Sequence, residues 1–290
     1  MMTRSRALLA GLCLAVLATP ALAAKPTPPA KPSTPAKPSE QDWRTPAPET
    51  VMVIDTNKGR VLVELIPEVA PNHAQRLRDL TRAGFYDGRT FFRVIDRFMA
   101  QTGDPQNTGE GGSTKPNLKA EFTFRRAADT GFVPMAAPAG LEVGYLKSLP
   151  VVSQAWSWSE MTSDKKVSAW GTYCPGVLGM ARDEDNNSAN SQFFLMRQPY
   201  PSLDKRYTAF GRVISGLDVV RAIKVGEPVP PPQDVMQKAR LLSDIPESQR
   251  PKVRVIDPKG PWFAAETKRL RALKGADFSV CDIDLPVEVR

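Results

Sequence analysis

At 290 residues with 41% hydrophobic side chains, the chain is long enough to bury a sizeable core in one large domain or two small ones. Its net charge of +8 is dispersed along the sequence, which argues against a nucleic-acid reader, whose Lys and Arg gather on one element. One histidine and three cysteines offer no metal-ligand spacing, so no metal and no cofactor is expected.

In chain order, Arg4 and Arg6 precede the apolar run 7–17, and Ala21-Leu22-Ala23 supplies the small residues of a cleavage site. Residues 1–23 therefore read as a secretory signal peptide, cut near Ala23, which implies a periplasmic or secreted protein. Leu12 stands where a lipid-anchored Cys13 would need a small residue before it, so simple cleavage is expected. No later stretch approaches the roughly 20 apolar residues of a membrane helix, and no span is expected. Residues 24–49 repeat Lys-Pro (Lys25-Pro26, Lys31-Pro32, Lys37-Pro38) and read as an extended spacer. Docking of that basic, Pro-rich segment on the cell envelope is the alternative reading.

Val51-Met52-Val53-Ile54, the turn Asn57-Lys58-Gly59 and Val61-Leu62-Val63-Glu64-Leu65 predict a β-hairpin. Pro71 suits a first helical position, Leu77 and Leu80 share a face and Gly84 is a stop, predicting a helix over 70–83. His73, in its first turns, reads as a cap or a surface residue. Strands follow at 91–95, 177–181, 192–196 and 209–214, with a helix at 217–224, a helical candidate at 234–242 and a closing strand at 253–256. Residues 262–274 look like an amphipathic helix facing inward through Trp262, Phe263 and Leu270. This order of elements favours a mainly β fold, a closed antiparallel barrel with helices at its ends. After signal removal Cys174 and Cys281 remain, to be joined as a disulfide or buried separately as small hydrophobes.

The chain lacks a metal-binding His pair, a Cys-x-x-Cys motif and a nucleophile elbow, and Gly109 to Lys115 lacks the ending of a phosphate loop. What it does hold is Phe91-Phe92-Arg93-Val94-Ile95, Phe98-Met99-Ala100-Gln101-Thr102-Gly103-Asp104, Gly179-Met180-Ala181-Arg182, Ser191-Gln192-Phe193-Phe194, Leu203-Asp204 and Tyr207-Thr208-Ala209-Phe210-Gly211-Arg212-Val213. In this order the segments closely resemble the cyclophilin family of peptidyl-prolyl cis-trans isomerases, over most of residues 50–224. The resemblance implies a closed eight-stranded antiparallel barrel capped by helices, with an outer groove for X-Pro segments of polypeptide substrates. It makes Arg93 the catalytic residue, oriented by Gln101. Phe98, Met99, Phe194 and Leu203 would take the proline ring, and Ala181, Arg182 and Gln192 the peptide backbone. Tyr207 matches a position that is often His in eukaryotic members.

Two departures stand out. Ser202 replaces the Trp or Phe that many members carry beside Leu203, implying a smaller pocket wall and weak cyclosporin binding. About forty extra residues, near 125–170, precede Gly176 and carry Val151, Val152, Trp156, Trp158 and Trp170. They are expected to border the groove and add to substrate recognition. The isomerase domain is expected at 50–257, followed by a C-terminal helical extension at 258–290. An isomerase acting on exported proteins during folding is the first reading. A holdase or scaffold with little turnover is the second, and a carbohydrate- or envelope-binding barrel is a third, weaker one.

Overall fold

A computed structural model describes residues 37–290, so the expected signal segment and the expected spacer up to residue 36 lie outside the described residues. The described end of the spacer is not free chain. β1 (Trp43–Arg44) pairs with residues 255–256, and the Asp42 carboxylate accepts the Trp262 backbone N–H at 2.7 Å. That correction has a simple cause: Trp43 and Asp42 have partners in the C-terminal segment, which a Lys-Pro pattern does not reveal.

The expected hairpin forms as β2 (Val51–Thr56) and β3 (Gly59–Leu65). Gly59 has φ +136°, and a Cβ there would meet Val219 at 2.9 Å, so the turn requires glycine. Alternate residues of β2 enter different cores: Met52 and Ile54 pack inside the main sheet, Val51 and Val53 on its outer side. An unbroken apolar run is what a strand covered on both faces needs.

Helix α1 (Pro71–Arg82) follows, burying Leu77 and Leu80 against the inner core. Its orphan N-terminal donors are met by Glu121, whose carboxylate accepts from the backbone of Asn72 at 3.2 Å and His73 at 3.1 Å. His73 is fully buried, its Nδ1 2.7 Å from Glu121 Oε2, which corrects its reading as a surface residue.

β4 (Arg89–Thr90), β5 (Arg93–Ile95) and β6 (Met99–Thr102) come next, and the insertion then supplies β7 (Phe124–Arg126), β8 (Phe132–Ala136), β9 (Leu141–Leu146), β10 (Leu149–Gln154) and β11 (Val167–Gly171). The chain returns through β12 (Val177–Met180), β13 (Phe193–Met196), β14 (Ala209–Ser215), α2 (Leu217–Ala222) and β15 (Val235–Leu241). Among the described residues the main sheet has nine strands, in the order β4-β15-β2-β3-β14-β12-β13-β6-β5, every pair antiparallel.

The closed eight-stranded barrel is thereby corrected to a nine-stranded curled sheet. Its end strands β4 and β5 are successive pieces of one segment and share no ladder. Phe91 and Phe92, both buried, interrupt the segment, which pairs first with β15 and then with β6.

The helical candidate at 234–242 is instead strand β15 over Val235–Leu241. A register shift between Met236 and Lys238 sets the buried Met236 and Ala239 three residues apart, as in a helix, before alternation resumes at Leu241. The closing strand expected at 253–256 exists as β16 (Val253–Ile256), but it pairs with β1 and β17 (Val287–Val289) in a separate three-stranded sheet. Helix α3 (Pro261–Lys274) buries Trp262, Phe263 and Leu270 as expected.

The insertion is a five-stranded antiparallel sheet, β7-β11-β10-β9-β8. Tyr145 of β9 ties it to the C-terminal extension: its ring meets Phe263 edge-on at 5.3 Å, and its hydroxyl lies 3.1 Å from the Val280 carbonyl. Cys174 and Cys281 are joined in a disulfide that anchors the extension behind the main sheet.

Candidate functional site

The groove is built on a row of residues across adjacent strands. Arg93 of β5 lies opposite Gln101 of β6, Gln101 opposite Phe194 of β13, and Phe194 opposite Gly179 of β12. Directly opposed residues share a face, so a cation, an amide and an aromatic ring stand side by side. Gly179 makes room for the ring: a Cβ there would lie 2.2 Å from Phe194 Cζ and 2.8 Å from Tyr173. Tyr173 stacks on Phe194 from behind, with ring centroids 5.8 Å apart.

A chain of hydrogen bonds fixes the polar side. Arg93 Nη1 donates to Gln101 Oε1 at 3.2 Å, and Gln101 Nε2 donates to Gln192 Oε1 at 2.8 Å. Gln192 Nε2 then donates to the carbonyls of Gly109 and Gly111, at 2.7 and 2.8 Å. Both amides thus have their oxygen and nitrogen ends assigned by their partners. The loop that presents those carbonyls is held by Asp104, which accepts backbone N–H bonds from Gln106, Thr108 and Gly109 at 2.7, 2.8 and 2.6 Å. Burial pushes the Asp104 carboxyl upward, but these bonds outweigh it and hold its pKa below the usual carboxylate value.

Arg93 also donates from Nε to Glu227 Oε1 at 2.6 Å, with Nη2 2.6 Å from the same oxygen. The pair is open to solvent, with side-chain exposures of 37% and 54%, so a ligand can reach it. Two of the five guanidinium N–H groups, on Nε and Nη1, are engaged in hydrogen bonds, and Nη2 faces the carboxylate as an ion-pair contact.

Apolar residues complete a groove of about 530 Å³. Met99 and Phe194 are buried, Phe98 packs on Tyr200 with centroids 4.5 Å apart, and Tyr207 meets Phe194 edge-on at 5.9 Å. Leu203 reaches the groove from a 3-10 turn, in which Ser202 is exposed. Ala181 and Arg182 lie where the groove meets a polar pocket of about 300 Å³. The Arg182 guanidinium is occupied: it donates to the carbonyls of Arg206 and Asp183 and lies 4.6 Å from the Tyr207 ring centre. These bonds leave one Nη2 N–H and the backbone of Arg182 for a peptide.

Nine of the ten nominated residues line the groove, and Gln192 lies in the polar pocket with its side-chain amide already engaged. The insertion does not border the groove as expected: among the described residues, none of 125–168 lines it. Its strands bury apolar side chains with the C-terminal extension instead. Sequence reasoning missed Phe92, the 107–109 backbone and Glu227-Pro228, all of which line the groove. No cluster of three His, Cys, Asp or Glu that could hold a metal occurs among the described residues.

A family model for cyclophilin type peptidyl-prolyl cis-trans isomerases matches residues 51–241. A probable peptidyl-prolyl cis-trans isomerase of Brucella suis is 33% identical over 190 residues, covering 62% of this chain and 74% of that protein. The peptidyl-prolyl cis-trans isomerase ppi1 of Schizosaccharomyces pombe is 32% identical over 168 residues, covering 58% and 81%. The crystal structure of the cyclophilin AquaCyp293 from Hirschia baltica is similar with a TM-score of 0.79 and 34% identity, covering 86% of this chain and 94% of that one. The chain therefore belongs to the cyclophilin-type peptidyl-prolyl cis-trans isomerase family and is an isomerase of X-Pro peptide bonds.

Proposed function

We propose that Arg93 accelerates X-Pro rotation in exported polypeptides as they fold, with the proline ring seated on Phe98, Met99, Phe194 and Leu203. The two isomers differ little in energy, but amide conjugation sets a barrier of about 18–20 kcal/mol and exchange in tens to hundreds of seconds. No covalent bond has to form. Twisting breaks conjugation and gives the proline nitrogen a lone pair, which a guanidinium N–H stabilises while making no such bond in the planar ground state. Apolar walls hold the ring while the preceding carbonyl turns, and they exclude water that would weaken the charged hydrogen bond. About 5–7 kcal/mol of preferential stabilisation corresponds to four to five decades in rate.

The observation that carries this reading is the Arg93 guanidinium, held by Gln101 at 3.2 Å beside the buried Phe194 and Met99 while keeping N–H groups for a ligand. Export is supported by the N-terminal pattern of residues 1–23 and by the Cys174–Cys281 disulfide, which suits an oxidising compartment. The Lys-Pro segment is proposed to rest against the anionic envelope. A holdase reading draws on Trp158 and Met161 of the insertion, 49% and 82% exposed.

The two separate in the refolding of a substrate whose slow phase is X-Pro isomerisation. The isomerase reading expects wild type to speed the slow phase and Arg93→Ala to lose that effect. Equal suppression of aggregation by both proteins, with neither changing the slow phase, would support the holdase and overturn the isomerase reading.

A further inference from the structure

We propose that Glu227 is a positioning residue for the reaction, acting through Arg93 rather than on the substrate; this rests on the role proposed for Arg93. Glu227 lies 134 residues from Arg93 in sequence, yet the fold places it there by main-chain bonds on both sides of the arginine. Val94 and Gly226 exchange reciprocal N–H···O bonds of 2.8 and 2.9 Å, and the Val229 N–H donates to the Phe92 carbonyl at 2.8 Å. Gly226 must be glycine, because a Cβ would lie 2.6 Å from Val229 Cα and 2.8 Å from the Pro228 carbonyl oxygen. Lys224 closes the loop, its N–H on Asp234 at 2.7 Å and its Nζ on the Pro230 carbonyl at 2.8 Å. Residues 226–229 thus form a built platform beside β5, with the Glu227 carboxylate as its contact with the guanidinium.

The geometry explains why one anchor is insufficient. Gln101 holds Nη1 alone, and a single hydrogen bond leaves a planar fork free to pivot about it. Glu227 Oε1 accepts from Nε and lies 2.6 Å from Nη2, on the other edge, so the plane is set from two sides. An ion pair this exposed contributes little to folding stability. Its consequence is orientation, which fixes where the remaining N–H groups lie when the amide twists.

The test combines kinetics with a double-mutant cycle, using NMR exchange on a proline peptide with the whole protein. Glu227→Ala is expected to lower kcat about tenfold with KM nearly unchanged, the signature of a lost transition-state alignment. Glu227→Gln, which keeps a carbonyl acceptor, should restore most of that loss, and the thermal unfolding midpoints should stay together. In an Arg93→Ala background Glu227→Ala should have no effect.

A change in KM alone, a rise in kcat, or an equal loss in the Arg93→Ala background would overturn the proposal. Such results would make Glu227 a substrate contact, a competing clamp or a folding residue. Hydrogen exchange of the Arg93 Nε–H supplies a readout independent of turnover: protected in wild type and Glu227→Gln, faster in Glu227→Ala. Equal protection in all three would also overturn it. Failure of the Arg93 reading itself is distinct, since Arg93→Ala would then be fully active.

Discussion

Groove side chains are held by packed or hydrogen-bonded neighbours. Gly179 is the sharpest case, because the Phe194 ring occupies the volume a side chain would take, 2.2 Å from the position of a Cβ. Gly179→Ala is expected to displace the ring, cost about 1–3 kcal/mol in unfolding free energy as an overpacked core does, and raise KM for proline peptides. Chemical denaturation and steady-state kinetics check both, and an unchanged KM would show that the ring does not form the proline seat. Arg93, Gln101, Phe98, Met99, Phe194, Leu203 and Tyr207 were legible in the sequence because the motifs that carry them, in this order, resemble the cyclophilin family. Glu227 was not: its approach depends on the Gly226–Val94 bridge between distant segments, and a Glu before Pro reads only as loop. The Arg182 role was half legible, since only the structure shows its guanidinium occupied by the Arg206 and Asp183 carbonyls.

The insertion sheet and the C-terminal extension complete one another's hydrophobic faces. Tyr145, Phe263, Trp262 and Val280 share a core that neither element could close alone, and the disulfide links Cys174, buried in that core, to the extension. Closing a loop of sequence separation 107 by a crosslink restricts the unfolded chain. Reduction is expected to lower stability by about 2–4 kcal/mol. Isomerase activity well below the unfolding temperature should persist, because the groove is lined outside the crosslinked extension. Calorimetry and activity with and without reductant measure this, and loss of activity before loss of fold would contradict it. Periodicity revealed the β2–β3 hairpin, α1 and α3 correctly. It failed at β15, where the bulge at 236–238 set Met236 and Ala239 three residues apart, while β16 formed as expected but outside the main sheet, because its partners β1 and β17 are remote in sequence.

Across the whole molecule, a curled nine-stranded sheet carries the groove on its outer face, and the added elements cover that face elsewhere. Several buried or half-buried carboxylates tie segments together. Asp42 accepts from the α3 backbone, Asp104 from the 106–109 loop, Glu121 from the α1 N-terminus and Asp234 from Lys224 and Asn57. For all four, burial acts to raise the pKa but hydrogen bonds prevail and hold it below the ordinary value. A depressed folded pKa contributes stability that is fully present above the unfolded values, about 3.9–4.3, and is lost as pH falls through the folded ones. Denaturation midpoints should therefore hold from neutral pH to about 4.5 and drop below about 4; a decline beginning near pH 6 would contradict this assignment. The membership of the family was legible because its motifs lie in order along one chain, while the architecture of the added sheets was not, because one of them pairs strands from both ends of the described chain and the other packs its apolar face with the C-terminal extension. The most direct measurement of the central claim is the cis-trans exchange rate of a proline peptide, read by NMR line shape or exchange spectroscopy, with wild type, Arg93→Lys and Arg93→Ala. The guanidinium account predicts a loss of about 2–4 kcal/mol in transition-state stabilisation for Arg93→Ala, with Arg93→Lys recovering little of it because one ammonium cannot keep both the Gln101 and Glu227 anchors; exchange at the wild-type rate in Arg93→Ala would contradict it.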